Sequence, residues 1–248
     1  MVVAERRGKV LVISMRREEK RNAIDPDMTA ALSRAFDALE DDPHLHVGIL
    51  TGTERVFSAG NDLRAGSGEA TARGGAYGLI SRSRRKPLIA AVEGYALGGG
   101  FEIVLACDLV VASEEARFAL PEVTRGVIAL YGGLFRSART LPLNVARELL
   151  LTGEALDAKR AHSLGFVNCL TPAGDALSRA LSLAESIAAN APVAVQHTLA
   201  VVNAFARADD EYGWAQTESA KAAVWSSKDM QEGVRAFRER RNPQWSGF

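Results

Sequence analysis

Apolar positions fall into two patterns along this chain. Continuous β-branched and aliphatic runs at Lys9–Met15, Val47–Thr51, Leu88–Val92 and Asp108–Ala112 have the length and make-up of buried strands. Between the first two, Met28, Ala31, Leu32, Ala35, Phe36 and Leu39 recur at helical spacing after Asp25-Pro26. A capping Asp followed by Pro at the first helical position is a strong start signal, so residues 26–40 are predicted as an amphipathic helix. Residues 144–151 and 157–165 read as further helices, the second stopped by Gly165, and Phe166–Leu170 as a short strand. Beyond Ala173 the pattern is helical only, over 174–190, 192–206, 209–225 and 228–240, with breaks at Pro192, Asp209-Asp210 and Ser226-Ser227. The expectation is an α/β unit over residues 1–190 and a helical unit over 191–248.

Glycine and charge punctuate the rest. Val56–Leu63 carries small residues leaving a strand, and residues 64–78, with five glycines, are expected to form a mobile surface loop. Ser81-Arg-Ser-Arg-Arg-Lys86 is basic, which suits a solvated helix end or a phosphate contact. Arg117–Glu122 reads as a short strand entering a turn, and Gly126–Gly133 as a Gly-rich loop.

Composition narrows the function class. Thirty basic residues balance thirty acidic ones over 248 residues, so no global field draws the chain to nucleic acid or to an anionic membrane. The two cysteines, Cys107 and Cys169, sit in apolar contexts and offer neither a disulfide framework nor a Cys-rich metal site. The four histidines lack metal-site pairing, and no metal centre is expected. The apolar stretch 88–112 is interrupted by Glu93, Glu102 and Asp108, a poor membrane span, and the first residues lack the apolar core of a secretory signal. A soluble, cytoplasmic protein is expected.

Chemistry gathers around Pro87–Asp108. A buried strand is followed by Gly98-Gly99-Gly100 and then an apolar helix from about Phe101 to Cys107. Glycines admit a ligand to the backbone, and the first N–H groups of a helix lack intrahelical partners. Inside that helix stands Glu102, whose carboxyl burial would push toward the protonated form. On its own the segment fits either an active site or a Gly-rich turn with a snorkelling glutamate.

Three motifs in order resolve the choice. Phe57-Ser58-Ala59-Gly60-Asn61-Asp62-Leu63, Gly94-Tyr95-Ala96-Leu97-Gly98-Gly99-Gly100-Phe101-Glu102 and Phe118-Ala119-Leu120-Pro121-Glu122 together resemble the crotonase superfamily of enoyl-CoA hydratases and isomerases, over almost the whole chain. The resemblance implies an α/β fold: a spiral core of repeated ββα turns, with a helical C-terminal region that builds homotrimers, often paired into hexamers. It implies an oxyanion hole from the backbone N–H groups at Ala59 and Gly99. Glu102 would activate the water added at C3, and Glu122 would handle the proton at C2. Retention of both glutamates favours hydration of a trans-2-enoyl-CoA, or the reverse dehydration, over the isomerases and thioester hydrolases of the superfamily.

Coenzyme A, as part of the substrate, would be met by Arg21, Ala23, Ala59, Gly60, Asn61 and Asp62, and by Phe237 and Arg240 of a neighbouring subunit. No separate cofactor is implied. One departure concerns the acyl pocket. Leu130 and Tyr131 stand where many hydratases carry small residues, which turns the expectation away from straight fatty chains. Several segments, including the Phe-x-x-x-Arg-x-Pro-x-Trp ending, resemble carnitinyl-CoA dehydratase-like members. A non-catalytic RNA-binding member is the remote alternative, and Arg82–Lys86 is the segment that keeps it open.

Overall fold

The computed structural model describes residues 1–247, and the chain is α/β, as the run pattern predicts. In chain order the elements are β1 (Val2–Arg7), β2 (Val10–Met15), α1 (Pro26–Asp41), β3 (Val47–Thr51), β4 (Val56–Ser58), β5 (Leu88–Val92), β6 (Tyr95–Leu97), α2 (Gly99–Leu105), β7 (Leu109–Ser113) and β8 (Arg117–Ala119). There follow α3 (Gly133–Thr140), α4 (Leu143–Thr152), β9 (Leu156–Asp157), α5 (Ala158–Ser163), β10 (Cys169–Thr171), α6 (Ala176–Ala188), α7 (Pro192–Ala206), α8 (Asp210–Trp225) and α9 (Lys228–Glu239).

Two sheets share these strands. One has six strands in the order β1-β2-β3-β5-β7-β10, the other four in the order β4-β6-β8-β9. Successive strands alternate between them, β3 then β4, β5 then β6, β7 then β8, and each turn advances both sheets by one parallel neighbour. This alternation is the spiral of repeated ββ(α) turns, and the described residues form no doubly wound sheet.

The continuous apolar runs follow from burial on both faces. In β2, β3, β5 and β7 alternate residues enter two different cores. Leu11, Ile13, Leu50, Leu88, Ala90, Val92 and Val110 join the main core with α1 and α2, while Val10, Val12, Val47, Ile49, Ile89, Ala91 and Val111 pack beneath α6. That helix presents Ala176, Ala180, Ala184 and Ala188, a four-residue repeat of small side chains on one face, all buried against the sheet.

Two expectations need correction, and one helix went unpredicted. Residues 64–78 are not simply a surface loop. Leu63–Gly66 is exposed, but Ser67, Gly74, Tyr77 and Gly78 are buried, and the Tyr77 ring joins the main core. Three of the four cations in the basic Arg82–Lys86 segment are not free for phosphate, because Arg82, Arg84 and Lys86 are buried and bonded within the chain, while Arg85 is exposed. The Gly-rich stretch ending at Gly133 leads straight into α3, a helix whose short, polar-rich sequence hid it.

Among the last helices, α8 packs on α3 through Phe135 and Trp214, with ring centroids 5.0 Å apart. The helix α9 lies on the turn at residues 121–126, where Gly233 admits the Arg125 carbonyl. By contrast α7 has no buried residue and exposes Val193, Val201, Val202 and Phe205.

Candidate active site

Two backbone segments that are far apart in sequence are bonded together at the carboxyl ends of β2 and β4. Asn22, buried with φ 51°, donates its side-chain amide to the carbonyls of Val56 and Phe57 at 3.0 Å each, and its own carbonyl accepts from Ser58 Oγ at 2.8 Å. Ile24 N–H donates to the Gly60 carbonyl and Asp62 N–H to the Ile24 carbonyl. The predicted coenzyme-binding residues Arg21, Ala23, Ala59, Gly60, Asn61 and Asp62 therefore lie on one bonded loop pair. Arg17 clamps it, pairing with Asp25 at 3.1 Å and Asp62 at 2.8 Å. The Arg17 hydrogen bond, with backbone donors from Arg64 and Ala65, pulls the Asp62 carboxyl down to about 2.

The loop meets the start of α2. At Gly60 φ is 85°, and a methyl group there would stand 2.8 Å from Gly99 N and 2.9 Å from the Leu97 carbonyl, so glycine is required for the approach. Of the two backbone donors predicted at this junction, one is already engaged. Ala59 N–H donates to the Arg21 carbonyl at 3.0 Å, which corrects its assignment as an oxyanion donor. Among the described residues neither Asn61 N–H nor Gly99 N–H, the latter first in α2, has an acceptor. The backbone bonding supplies the reason. Parallel pairing around Asn61 engages its neighbours and leaves its own N–H facing away.

Glu102 enters from the first turn of α2 and is 2% exposed. Its Oε1 accepts from Tyr131 N–H at 2.6 Å and from Gly133 N–H at 2.9 Å, so the Gly-rich approach to α3 acts as its cradle. Glu122 stands in the 3₁₀ turn after Pro121, with Oε2 buried and unpaired. Gly98, at φ 53°, makes room for it, since a methyl group there would lie 3.0 Å from Glu122 Oε1. Burial, then the charge of Glu122, pushes the Glu102 carboxyl up to about 8, and burial pushes Glu122 up to about 7. The two titrate as a coupled pair that shares one proton near neutral pH, so either carboxyl can carry it.

Tyr77 closes the remaining side. It is 1% exposed at φ 55°, donates its hydroxyl to Asn61 Oδ1 at 2.9 Å, and sets its ring edge on Tyr131 at 4.8 Å between centroids. Leu130 and Tyr131 are half-buried beside the Glu102 cradle. Phe237 and Arg240 are exposed on and just after α9, with the Phe237 ring 5.4 Å from the Arg125 guanidinium of the same chain. Sequence reasoning missed Tyr77. The available signal was a single large ring in the otherwise small Gly74-Gly75-Ala76-Tyr77-Gly78 run.

The site can therefore hold an anion developing at two free backbone N–H groups while two carboxyls exchange protons beside it. Similar proteins were found by sequence and by structure. The family model described as enoyl-CoA hydratase/isomerase matches residues 5–247. The mevalonyl-coenzyme A hydratase of Aspergillus fumigatus is 41% identical over 95% of this chain and 91% of its own length. The carnitinyl-CoA dehydratase of Salmonella arizonae is 38% identical over 98% and 97%. Among solved structures, a carnitinyl-CoA dehydratase from Mycobacterium avium superposes with a TM-score of 0.93 at 42% identity, covering 100% of this chain and 99% of that one. An enoyl-CoA hydratase from Mycobacterium tuberculosis gives 0.80 at 42% identity, with the same coverage.

Proposed function

The chain belongs to the enoyl-CoA hydratase/isomerase family, and we propose that it adds water across the C2=C3 bond of a 2-enoyl-CoA, or removes it in reverse. The observation that carries this reading is the pairing of two carboxyls without an ion partner among the described residues, buried Glu102 and half-buried Glu122 with its Oε2 enclosed, beside two unbonded backbone N–H groups. The thioester oxygen would lie against Asn61 N–H and Gly99 N–H. Glu102, its Oε1 fixed by Tyr131 and Gly133, takes a proton from water as the water oxygen bonds to C3. The C2=C3 electron pair moves toward the thioester oxygen, and the enolate formed there is stabilised by the two donors, each worth roughly 3 kcal/mol. Glu122 then gives its proton to C2. One carboxyl gains a proton as the other loses one, so the pair returns to its starting charge.

Arg21, Ala23 and Gly60–Asp62 would receive the coenzyme A portion, which belongs to the substrate; no resident cofactor enters this scheme. Phe237 and Arg240 would reach the coenzyme from a neighbouring subunit. The exposed apolar side chains of α7 support a homotrimer, or a pair of trimers, in which residues 191–248 form the assembling region. A second reading concerns the acyl group. Tyr131 adds a phenol beside the Glu102 cradle, and half-buried Leu130 narrows the site, which favours a substituted or polar acyl chain of the kind the mevalonyl- and carnitinyl-named relatives take.

Loss of the enoyl-thioester absorbance with crotonyl-CoA, and a product heavier by one water, tests the reaction. Crotonyl-CoA that binds but gives neither change would exclude simple hydration, and the same assay with branched or hydroxylated enoyl-CoA thioesters would then decide the second reading.

A further inference from the structure

We propose that Tyr77 is a positioning residue that sets the two free backbone donors relative to the Glu102 cradle. The inference rests on the reading of Asn61 N–H and Gly99 N–H as the oxyanion site, and it adds a side chain that touches every part of that site. The Tyr77 hydroxyl donates to Asn61 Oδ1 at 2.9 Å, on the residue whose own N–H is one donor. The same oxygen lies so close over Gly99, the other donor, that a methyl group at Gly99 would collide with it. Its ring edge packs on Tyr131, whose N–H holds Glu102 Oε1. One phenol thus spans the loop after β4, the start of α2 and the approach to α3.

The backbone beneath it is built to hold this placement. Tyr77 lies in the left-handed region at φ 55°, a conformation that is costly for a bulky residue and persists only where its surroundings fix it. The fixing contacts are explicit. Thr71 and Gly75 exchange backbone bonds, Ser81 N–H reaches the Gly74 carbonyl, and Arg82 Nε donates to the Gly78 carbonyl at 2.9 Å. From the other side, Arg136 of α3 donates to the Ile80 carbonyl at 2.8 Å, tying the Tyr77 segment to the helix that follows the Glu102 cradle. The hydroxyl itself stays protonated, because burial and the neighbouring carboxyls raise its pKa well above the ordinary phenol value. It therefore acts as a fixed donor to Asn61 and takes no part in proton transfer.

Tyr77→Phe keeps the ring packing and removes only the hydroxyl. Two readouts test it: turnover, and the absorbance of bound 2,4-hexadienoyl-CoA. The conjugated thioester of that probe absorbs at longer wavelength when donors polarise its carbonyl, whether or not water adds. The expected result is a kcat about tenfold lower with KM within about twofold, and a visibly smaller red shift at saturating probe. Asn61→Ala, which retains the backbone N–H but removes the acceptor, should reproduce both changes, and the double variant should be no worse than either single one. A hexadienoyl red shift and kcat equal to wild type in Tyr77→Phe would overturn the proposal, as would full additivity of the two substitutions. Failure of the hydratase reading looks different. The wild type would then shift the probe's absorbance without hydrating any enoyl-CoA, and the comparison of shifts would still decide the role of Tyr77.

Discussion

Two groups of buried charge sit within one chain and are built on opposite plans. In Arg82–Lys86 every buried cation is answered. Arg82 pairs with Asp37 at 2.6 Å and donates to the Gly78 carbonyl, Arg84 forks onto Asp108 and the Ala106 carbonyl at 2.9 Å each, and Lys86 Nζ reaches the Leu39 and Asp42 carbonyls at 2.6 Å. At Glu102, buried, and Glu122, half-buried with Oε2 enclosed, two neighbouring carboxyls have no ion pair among the described residues, and Glu122 Oε2 has no hydrogen-bond partner there. A buried charge costs several kcal/mol unless it is paired, so the first arrangement fixes structure and the second stores reactivity as raised proton affinity. Burial of charge alone does not mark this site; two neighbouring carboxyls without an ion partner do.

The sharpest way to separate the two plans is to neutralise the carboxyls one at a time. Glu102→Gln and Glu122→Gln should each lower kcat/KM by about 10²–10⁴-fold, since each removes a general acid or base while keeping the shape. Both variants should fold, because an amide in place of a carboxyl without an ion partner relieves charge burial, and its oxygen can still accept from Tyr131 and Gly133 at position 102. Circular dichroism and steady-state hydration of crotonyl-CoA, or of the acyl-CoA found to react, check both statements. A variant that keeps more than about a tenth of wild-type turnover would remove that glutamate from the reaction.

The cationic group should respond in the reverse sense. Arg84→Met leaves the largely buried Asp108 without its fork and should cost about 3–5 kcal/mol in urea unfolding, with kcat per folded molecule changed by no more than about twofold. Its neighbour supplies the control. Arg85 is 69% exposed at its side chain and 3.7 Å from Glu40, so Arg85→Ala should cost less than about 1 kcal/mol. Equal losses at the two arginines would show that position in the basic run, not compensation, sets the effect.

The sequence made parts of this contrast readable and concealed others. The strands Val47–Thr51 and Leu88–Val92 and the helix at Pro26–Asp41 were legible because burial on both sheet faces, or on one helix face, leaves a pattern that composition cannot hide. The strand Val2–Arg7 was not, because five of its six residues are exposed and its place depends on antiparallel backbone bonds to Val10–Met15. Strands of three residues, such as Tyr95–Leu97, are too short to show any period. Glu102 and Glu122 were visible through motif spacing. Which N–H is free was not, because that follows from the pairing of Ala59 with Arg21, a tertiary hydrogen bond. The Arg82–Lys86 run misled for the same reason. Its partners Asp37, Leu39, Asp42 and Asp108 lie 20 or more residues away, and only folding brings them within reach.

The last test concerns pH and needs no substrate. Unfolded, both glutamates titrate near 4.5; folded, they are raised to about 8 at Glu102 and about 7 at Glu122. The native state therefore holds protons that the unfolded chain has released across the window from about 4.5 to 8. Where the native state binds more protons, stability falls as pH rises, so the cost of the pair is absent below that window and complete above it. Each unit of raised pKa corresponds to about 1.4 kcal/mol, which makes a loss of at least about 2 kcal/mol the expectation between pH 5 and 8.5. Asp62, held down to about 2 by Arg17, contributes stability that is lost only as pH falls below 3.8 toward 2, outside this range. In Glu102→Gln the permanently neutral amide should flatten the slope, so that the variant is more stable than wild type at pH 8.5 and little different at pH 5. Urea midpoints at those two values decide it. If the variant and wild type lose stability in parallel, the pair is ionised in the folded state at little cost, and its resemblance to the compensated arginines is closer than its geometry implies.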